Sequence, residues 1–212
     1  MQWGTLTLLA GPNGAGKTTL VKSLDALGAY ADHKILNADD RTLEKARNAG
    51  FQSFSETPED LLKQFFIEAA NEVFEEAKKS LALGETVSLE TVLSTSKYRE
   101  LVGSVLENGG TFELIYVGLR SHLVSKHRVA LRVQKGGHDV PADRLEERWK
   151  RSLEQLKWFA PRATRFSIYD NTVHPGILLA SGDGGRLQWE VSRDQVFPEI
   201  YAALKEAFKD SP

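Results

Sequence analysis

The sequence predicts one α/β domain built on a doubly wound, mainly parallel sheet. Three observations carry this. Short apolar runs of strand formers alternate with helical segments along the chain. These runs stop abruptly at glycine or a polar residue, as strands covered on both faces do. The 212 residues show no repeat, low-complexity stretch or linker that would divide them, so residues 1–212 are expected to form one domain.

Residues 4–10 (Gly-Thr-Leu-Thr-Leu-Leu-Ala) form the first expected strand, and residues 17–27 a helix with Leu20, Val21, Leu24 and Leu27 on one side. Residues 34–37 read as the second strand. Thr57-Pro58-Glu59-Asp60 is a helix start, with threonine as cap and proline at the first position. Helical spacing then persists through Leu61, Phe65, Phe66, Ala69, Val73 and Ala77 to about Leu83, where Gly84 ends it. Residues 86–89 are a third strand, 97–107 a helix, 112–119 a fourth strand and 123–134 another helix. After Gly136-Gly137-His138-Asp139, Pro141 starts a helix running to about Phe159. Residues 164–169, 177–180 and 187–191 are further strand candidates, and 198–208 closes the chain as a helix.

Composition removes several classes of function. The chain has no cysteine, which excludes disulfides, thiolate metal sites and cysteine nucleophiles. A formal net charge of −2 argues against non-specific nucleic-acid binding. No apolar run approaches the roughly 18 residues needed to cross a bilayer. The start lacks the charged and apolar regions of a signal peptide, so a cytoplasmic protein without a membrane partner is expected. The five histidines show no ligand-like spacing, and the four tryptophans are scattered rather than grouped as a base-stacking platform.

The chemistry begins at Gly11-Pro12-Asn13-Gly14-Ala15-Gly16-Lys17-Thr18, which fits G-x-x-x-x-G-K-[ST] between a predicted strand and a predicted helix. Glycines let the backbone wrap phosphate oxygens, and successive amides form an anion nest at the positive end of the helix. Lys17 is placed for the β/γ-phosphates of ATP, and the Thr18 hydroxyl for Mg²⁺. Thr19 completes the segment.

Ligands of open α/β sheets bind at the carboxyl ends of the strands. Asp39 lies just past the second strand, and Glu90 ends the third. A carboxylate there can take a proton from an attacking hydroxyl, hold Mg²⁺ through water or bind substrate hydroxyls. Asp39, followed by Asp40 and Arg41, could equally cap a helix.

Arg128, Arg132 and Lys135 precede the Gly-Gly break at i, i+4 and i+7, and Arg144, Arg148 and Arg151 repeat that spacing after it. Leu145, Trp149, Leu153, Leu156 and Phe159 take the opposite, core-facing side. Two basic helices about a glycine hinge suit a lid, over about residues 128–148, that closes on polyphosphate. The competing reading is a solvated helix carrying Glu147–Arg151 and Glu146–Lys150 pairs.

Taken together, the phosphate loop, Asn37-Ala38-Asp39-Asp40, Leu89-Glu90-Thr91, and the stretch from Tyr116-Val117-Gly118-Leu119-Arg120 through Arg132-Val133-Gln134-Lys135-Gly136-Gly137-His138-Asp139-Val140-Pro141 resemble the zeta-toxin family of P-loop kinases. Tyr169-Asp170-Asn171 is similar too. The resemblance covers residues 5–180 or so. It implies a P-loop NTPase sheet of order 2-3-1-4-5 with a helical lid, and Mg²⁺-dependent phosphoryl transfer from ATP. In the better-studied toxins the acceptor is UDP-N-acetylglucosamine, and an antitoxin partner follows by kinship only. The family's base falls on Asp39, its substrate-binding glutamate on Glu90 beside Thr91, and its first lid arginine on Arg128. The second lid arginine lands near His138, leaving Arg132 or Arg144 to supply that charge. Two alternatives to a small-molecule kinase stand: an ATP-hydrolysing regulatory module without a dedicated acceptor, and a kinase of nucleic-acid ends.

Overall fold

The structure is a computed structural model that describes residues 2–25, 33–134, 140, 142–183 and 185–209. Its strands are β1 (Thr5–Ala10), β2 (Lys34–Asn37), β3 (Val87–Thr91), β4 (Thr111–Gly118), β5 (Arg165–Asp170), β6 (Ile177–Asp183) and β7 (Arg186–Trp189). Its helices are α1 (Lys17–Asp25), α2 (Ala38–Asn48), α3 (Glu59–Ala82), α4 (Arg99–Glu107), α5 (His122–Gln134), α6 (Ala142–Phe159) and α7 (Pro198–Ala207).

The strands form one sheet in the order β2-β3-β1-β4-β5-β6-β7. The first five run parallel, which bears out the expected 2-3-1-4-5 arrangement, and β6 and β7 extend it antiparallel. Alternation along β1 and β4 sorts side chains between two faces. Leu6, Leu8, Phe112, Leu114 and Tyr116 enter the larger core with residues of α3, α4, α6 and α7. Leu9, Ile115 and Val117 face the other way, into a smaller cluster with Ala15, Leu119, Leu20 and Val124. The expected apolar side of α6 is also found: Leu145, Trp149, Leu153, Leu156 and Phe159 are buried.

Three local differences have plain causes. Residues 38–48, not expected as a helix, form α2. Its start is fixed by Asn37, whose Oδ1 accepts the Asp39 N–H at 2.8 Å. Asp39 and Asp40 occupy the first turn and Lys45 and Arg47 the last, matching the helix dipole. Only Thr42 and Ala46 are buried, so the apolar periodicity that reveals most helices is absent. Pro58, not Thr57, is the cap of α3, and the Thr57 hydroxyl donates backwards to Ser53 O at 2.9 Å. The last strand lies at Arg186–Trp189 rather than 187–191, set by the pairing of Asp183 with Arg186 in the β6–β7 hairpin. Leu27, Lys135, Pro141 and the Gly136-Gly137-His138-Asp139 break fall outside the described residues.

Candidate active site at the strand ends

Sheet register builds the site. Glu90 pairs with Leu9 on one side and Asn37 on the other, so β1, β2 and β3 end level. The phosphate loop leaves β1 there, and Asp39 stands two residues past Asn37 at the start of α2. The capping alternative for Asp39 is settled by Asn37, which leaves the Asp39 carboxylate for another task.

The loop is gripped from outside. Asn171, just after β5, donates from Nδ2 to Ala15 O at 2.7 Å. Ser125 of α5 donates to Asn13 O at 2.5 Å, and Arg128 Nη1 to Gly14 O at 3.3 Å. Three successive loop carbonyls are thereby held, while the amides of Asn13, Gly14 and Gly16 have no backbone acceptor among the described bonds. The glycines permit this closeness. A Cβ on Gly11 would meet Val117 O at 2.1 Å; one on Gly16, where φ is +83°, would meet Asn171 Nδ2 at 2.4 Å.

Lys17 points inward, its Nζ 2.9 Å from Gly11 O and 3.3 Å from Pro12 O. Burial lowers the pKa of this ammonium; the nearby Glu90 and Asp39 carboxylates oppose that shift, and the Arg132 charge adds to it. Glu90 bridges the neighbouring groups: Oε2 accepts the Thr18 hydroxyl at 3.0 Å and Oε1 lies 3.9 Å from Lys17 Nζ. Thr19 is exposed in the first turn of α1. Thr91 Oγ1 accepts the Leu93 N–H at 3.0 Å. Leu93 itself is buried with φ at 56°, a left-handed bend that redirects the chain towards α4.

The predicted basic residues divide. Arg128 lies against the loop and also donates from Nη2 to Thr172 O at 2.9 Å. Arg132 is close enough to act on Lys17. Arg148 is partly buried and within electrostatic reach of Asp39; burial lowers its pKa and Asp39 counters. Arg144 is exposed and acts on Glu59 instead. The surface pairs of α6 do form, with Lys150 2.6 Å from Glu146 and Arg151 3.4 Å from Glu147. His138 lies outside the described residues.

Other groups at the site carry no motif visible in the sequence. Tyr98, at the start of α4, has its phenol pushed up to about 12 by burial and then by the Asp39 charge. Asp170, 1% exposed, holds Arg120 Nε at 2.7 Å and the Thr172 N–H at 2.8 Å, which fixes the turn that carries Asn171. Only the resemblance at Tyr169-Asp170-Asn171 pointed to this turn. Among the described residues, no group of three or more His, Cys, Asp or Glu is placed to hold a metal ion.

The AAA domain family matches residues 6–157, most of the chain. No curated protein sequence matches. Solved structures that share the fold include three that follow. The AvrRxo1-ORF1:AvrRxo1-ORF2 complex with ATP has a chain 18% identical with a TM-score of 0.63; the match covers 97% of this chain and 64% of that one. This protein thus spans less than two thirds of that relative's length. The PezAT chromosomal toxin–antitoxin system of Streptococcus pneumoniae gives 16% identity and a TM-score of 0.57, covering 100% and 80% of the two chains. A kinase candidate from Chloroflexus aurantiacus gives 22% identity and a TM-score of 0.54, covering 68% and 74%. The resemblance to zeta-toxin-like P-loop proteins holds at the level of the fold.

Proposed function

From the premise that the chain belongs to the AAA domain family, we propose that it is an ATP- and Mg²⁺-dependent phosphotransferase acting on a hydroxyl of a small molecule. The observation that carries this is the meeting of Lys17, Thr18 and Glu90 at the mouth of a pinned phosphate loop, with Asp39 across the same strand ends.

The residues fit the groups the reaction requires. Amides of the loop and the Lys17 ammonium suit polyphosphate. Thr18 is the protein group to hold Mg²⁺, which when bound offsets charge on the β/γ-oxygens. In the resting arrangement Glu90 engages both Thr18 and Lys17, so binding of phosphates frees its carboxylate for the acceptor. Arg128 and Arg132, within a lid over about 128–148, neutralise charge on the transferred group. Asp39 orients the acceptor hydroxyl and takes its proton as the oxygen bonds to the γ-phosphorus and the β–γ bridge breaks.

A sugar nucleotide such as UDP-N-acetylglucosamine is the acceptor suggested by kinship with zeta toxins, and an antitoxin protein the partner. The antitoxin partner receives support from the fold shared with the toxin–antitoxin structure. A cytoplasmic setting suits ATP chemistry; no described helix is long and apolar enough to cross a membrane.

Incubation with γ-labelled ATP and a panel of hydroxyl acceptors tests the reading. Label transfer to a small molecule is expected, and Lys17→Ala should reduce it to background while the circular dichroism spectrum is unchanged. Release of free phosphate alone with every acceptor would point to the regulatory module, and end-labelled DNA or RNA to the nucleic-acid kinase.

A further inference from the structure

The cations of α6 are not equivalent. Lys150, Arg151 and Lys157 each have a carboxylate within 4 Å, and all lie on the solvent side or against α7. Arg148 differs. It lies three residues after Leu145 and four before Ser152, which are 2% and 0% exposed, so it shares their inward-facing side. That side is anchored over the end of β4: Ser152 meets the Tyr116 hydroxyl at 3.0 Å, and Trp149 Nε1 donates to Leu119 O at 2.9 Å. Helix α6 is thus pinned beside the end of β4, with Arg148 on the pinned side. Asp39 is the first carboxylate it senses.

Yet Arg148 makes no hydrogen bond and no ion pair within 4 Å among the described residues. A partly buried guanidinium without a partner is costly to hold. Its planar donor fork suits phosphate and carboxylate. The nucleotide side already has its own cations, since Lys17, Arg128 and Arg132 cluster on the phosphate loop.

We propose that Arg148, on the side of α6 that is anchored at the end of β4, binds an oxyanion carried by the acceptor, a phosphate or carboxylate displaced from the hydroxyl that is phosphorylated. This rests on the phosphotransferase reading and adds to it. Arg148 leaves the nucleotide clamp and becomes a specificity residue for acidic acceptors. Removing its charge relieves a desolvated cation, so the unliganded protein should tolerate the change.

The test saturates the protein with a non-hydrolysable ATP analogue and Mg²⁺, then titrates inorganic phosphate and, separately, acetate. Arginine side-chain NMR signals report the binding. The parent should bind one oxyanion at Arg148. Arg148→Gln should weaken this at least 10-fold, Arg148→Lys by less, and both should keep analogue affinity within about twofold. Preference for phosphate over acetate, or the reverse, names the acceptor's charged group. Equal oxyanion binding by parent and Arg148→Gln overturns the proposal. So does no binding by the parent, or a 10-fold loss of analogue affinity in Arg148→Gln. A parent that binds no analogue sinks the phosphotransferase reading instead. The phosphate titration of parent against Arg148→Gln then still decides the Arg148 site.

Discussion

The two halves of the site are held together by different forces. Around the phosphate loop, hydrogen bonds from Asn171, Ser125 and Arg128 to backbone carbonyls fix the chain in a mostly buried setting. Around the acceptor side, α2 and α3 are joined by a ladder of half-exposed ion pairs. Arg41 lies 2.9 Å from Glu76 and 3.7 Å from Glu72. Lys45 lies 2.6 Å from Glu72 and 3.1 Å from Glu68, and Lys34 3.1 Å from Glu76. Buried hydrogen bonds are directional and little affected by salt, whereas exposed ion pairs are individually weak and screened. The nucleotide half is therefore set in one geometry, and the acceptor half is adjustable. That division suits a scaffold in which the donor of the phosphoryl group stays constant while the acceptor differs.

Exchanging the chemistry of the acceptor half without disturbing the donor half gives the largest expected effect. Asp39→Asn keeps the shape and removes the proton acceptor, so turnover should fall by roughly 10²–10⁴-fold. Calorimetry should find ATP affinity nearly unchanged. Glu90→Gln should chiefly raise the acceptor KM or weaken the Mg²⁺ dependence. Near-full turnover in Asp39→Asn together with an inactive Glu90→Gln would exchange the two roles.

Loosening the donor half comes next. Asn171→Ala removes the pin on Ala15 O and leaves that carbonyl unsatisfied, which costs about 1–3 kcal/mol. Nucleotide affinity should drop about 10-fold or more, with acceptor KM little changed. A variant that lowers Tm while binding the ATP analogue at parental strength would show that the pin serves the fold alone.

Salt separates the halves directly. Raising NaCl from about 0.05 to about 0.5 M shortens the screening length several-fold. Amide hydrogen exchange in α2 of the unliganded protein should speed up a few-fold, while that of residues 11–16 should stay within about twofold. Equal responses would erase the distinction between the two halves.

A smaller effect follows from the ammonium between them. Burial lowers the Lys17 pKa from its usual 10.5, and nucleotide binding needs its charge. Affinity for the ATP analogue should therefore fall as pH rises through the lowered value, before an ordinary lysine would titrate. Without nucleotide the sign reverses. Between the lowered pKa and 10.5 the unfolded chain binds more protons, so this group's contribution to stability rises with pH. Titrations from about pH 7 to 10 on parent and Lys17→Ala would isolate it.

The sheet and most helices were legible because their apolar periodicity is strong, and the phosphate loop because its glycines and lysine stand at fixed spacing. What stayed hidden follows a single physical pattern. Helix α2 buries only Thr42 and Ala46 and is held by a cap and ion pairs, which leave no periodic trace. The pins on the loop come from Ser125 and Asn171, ordinary polar residues whose meaning depends on folded distance. Arg144 and Arg148 look alike in a stripe of i, i+4 arginines, yet one is exposed and the other partly buried, because Arg148 lies nearer the side of Leu145 and Ser152. Thr57 reads as a cap by spacing, yet the helix starts one residue later and the threonine hydroxyl donates back to Ser53 O.

The hydrogen bond from Asn171 to Ala15 O joins residues 156 positions apart. On a growing chain the phosphate loop is made well before this support, which emerges only after β5 has been synthesised. The family match ends at residue 157, short of that support. A nascent or truncated chain of that length contains every residue of the nucleotide motif and lacks the contact that shapes it. The loop therefore gains its Asn171 pin only once β5 and the turn after it have been made.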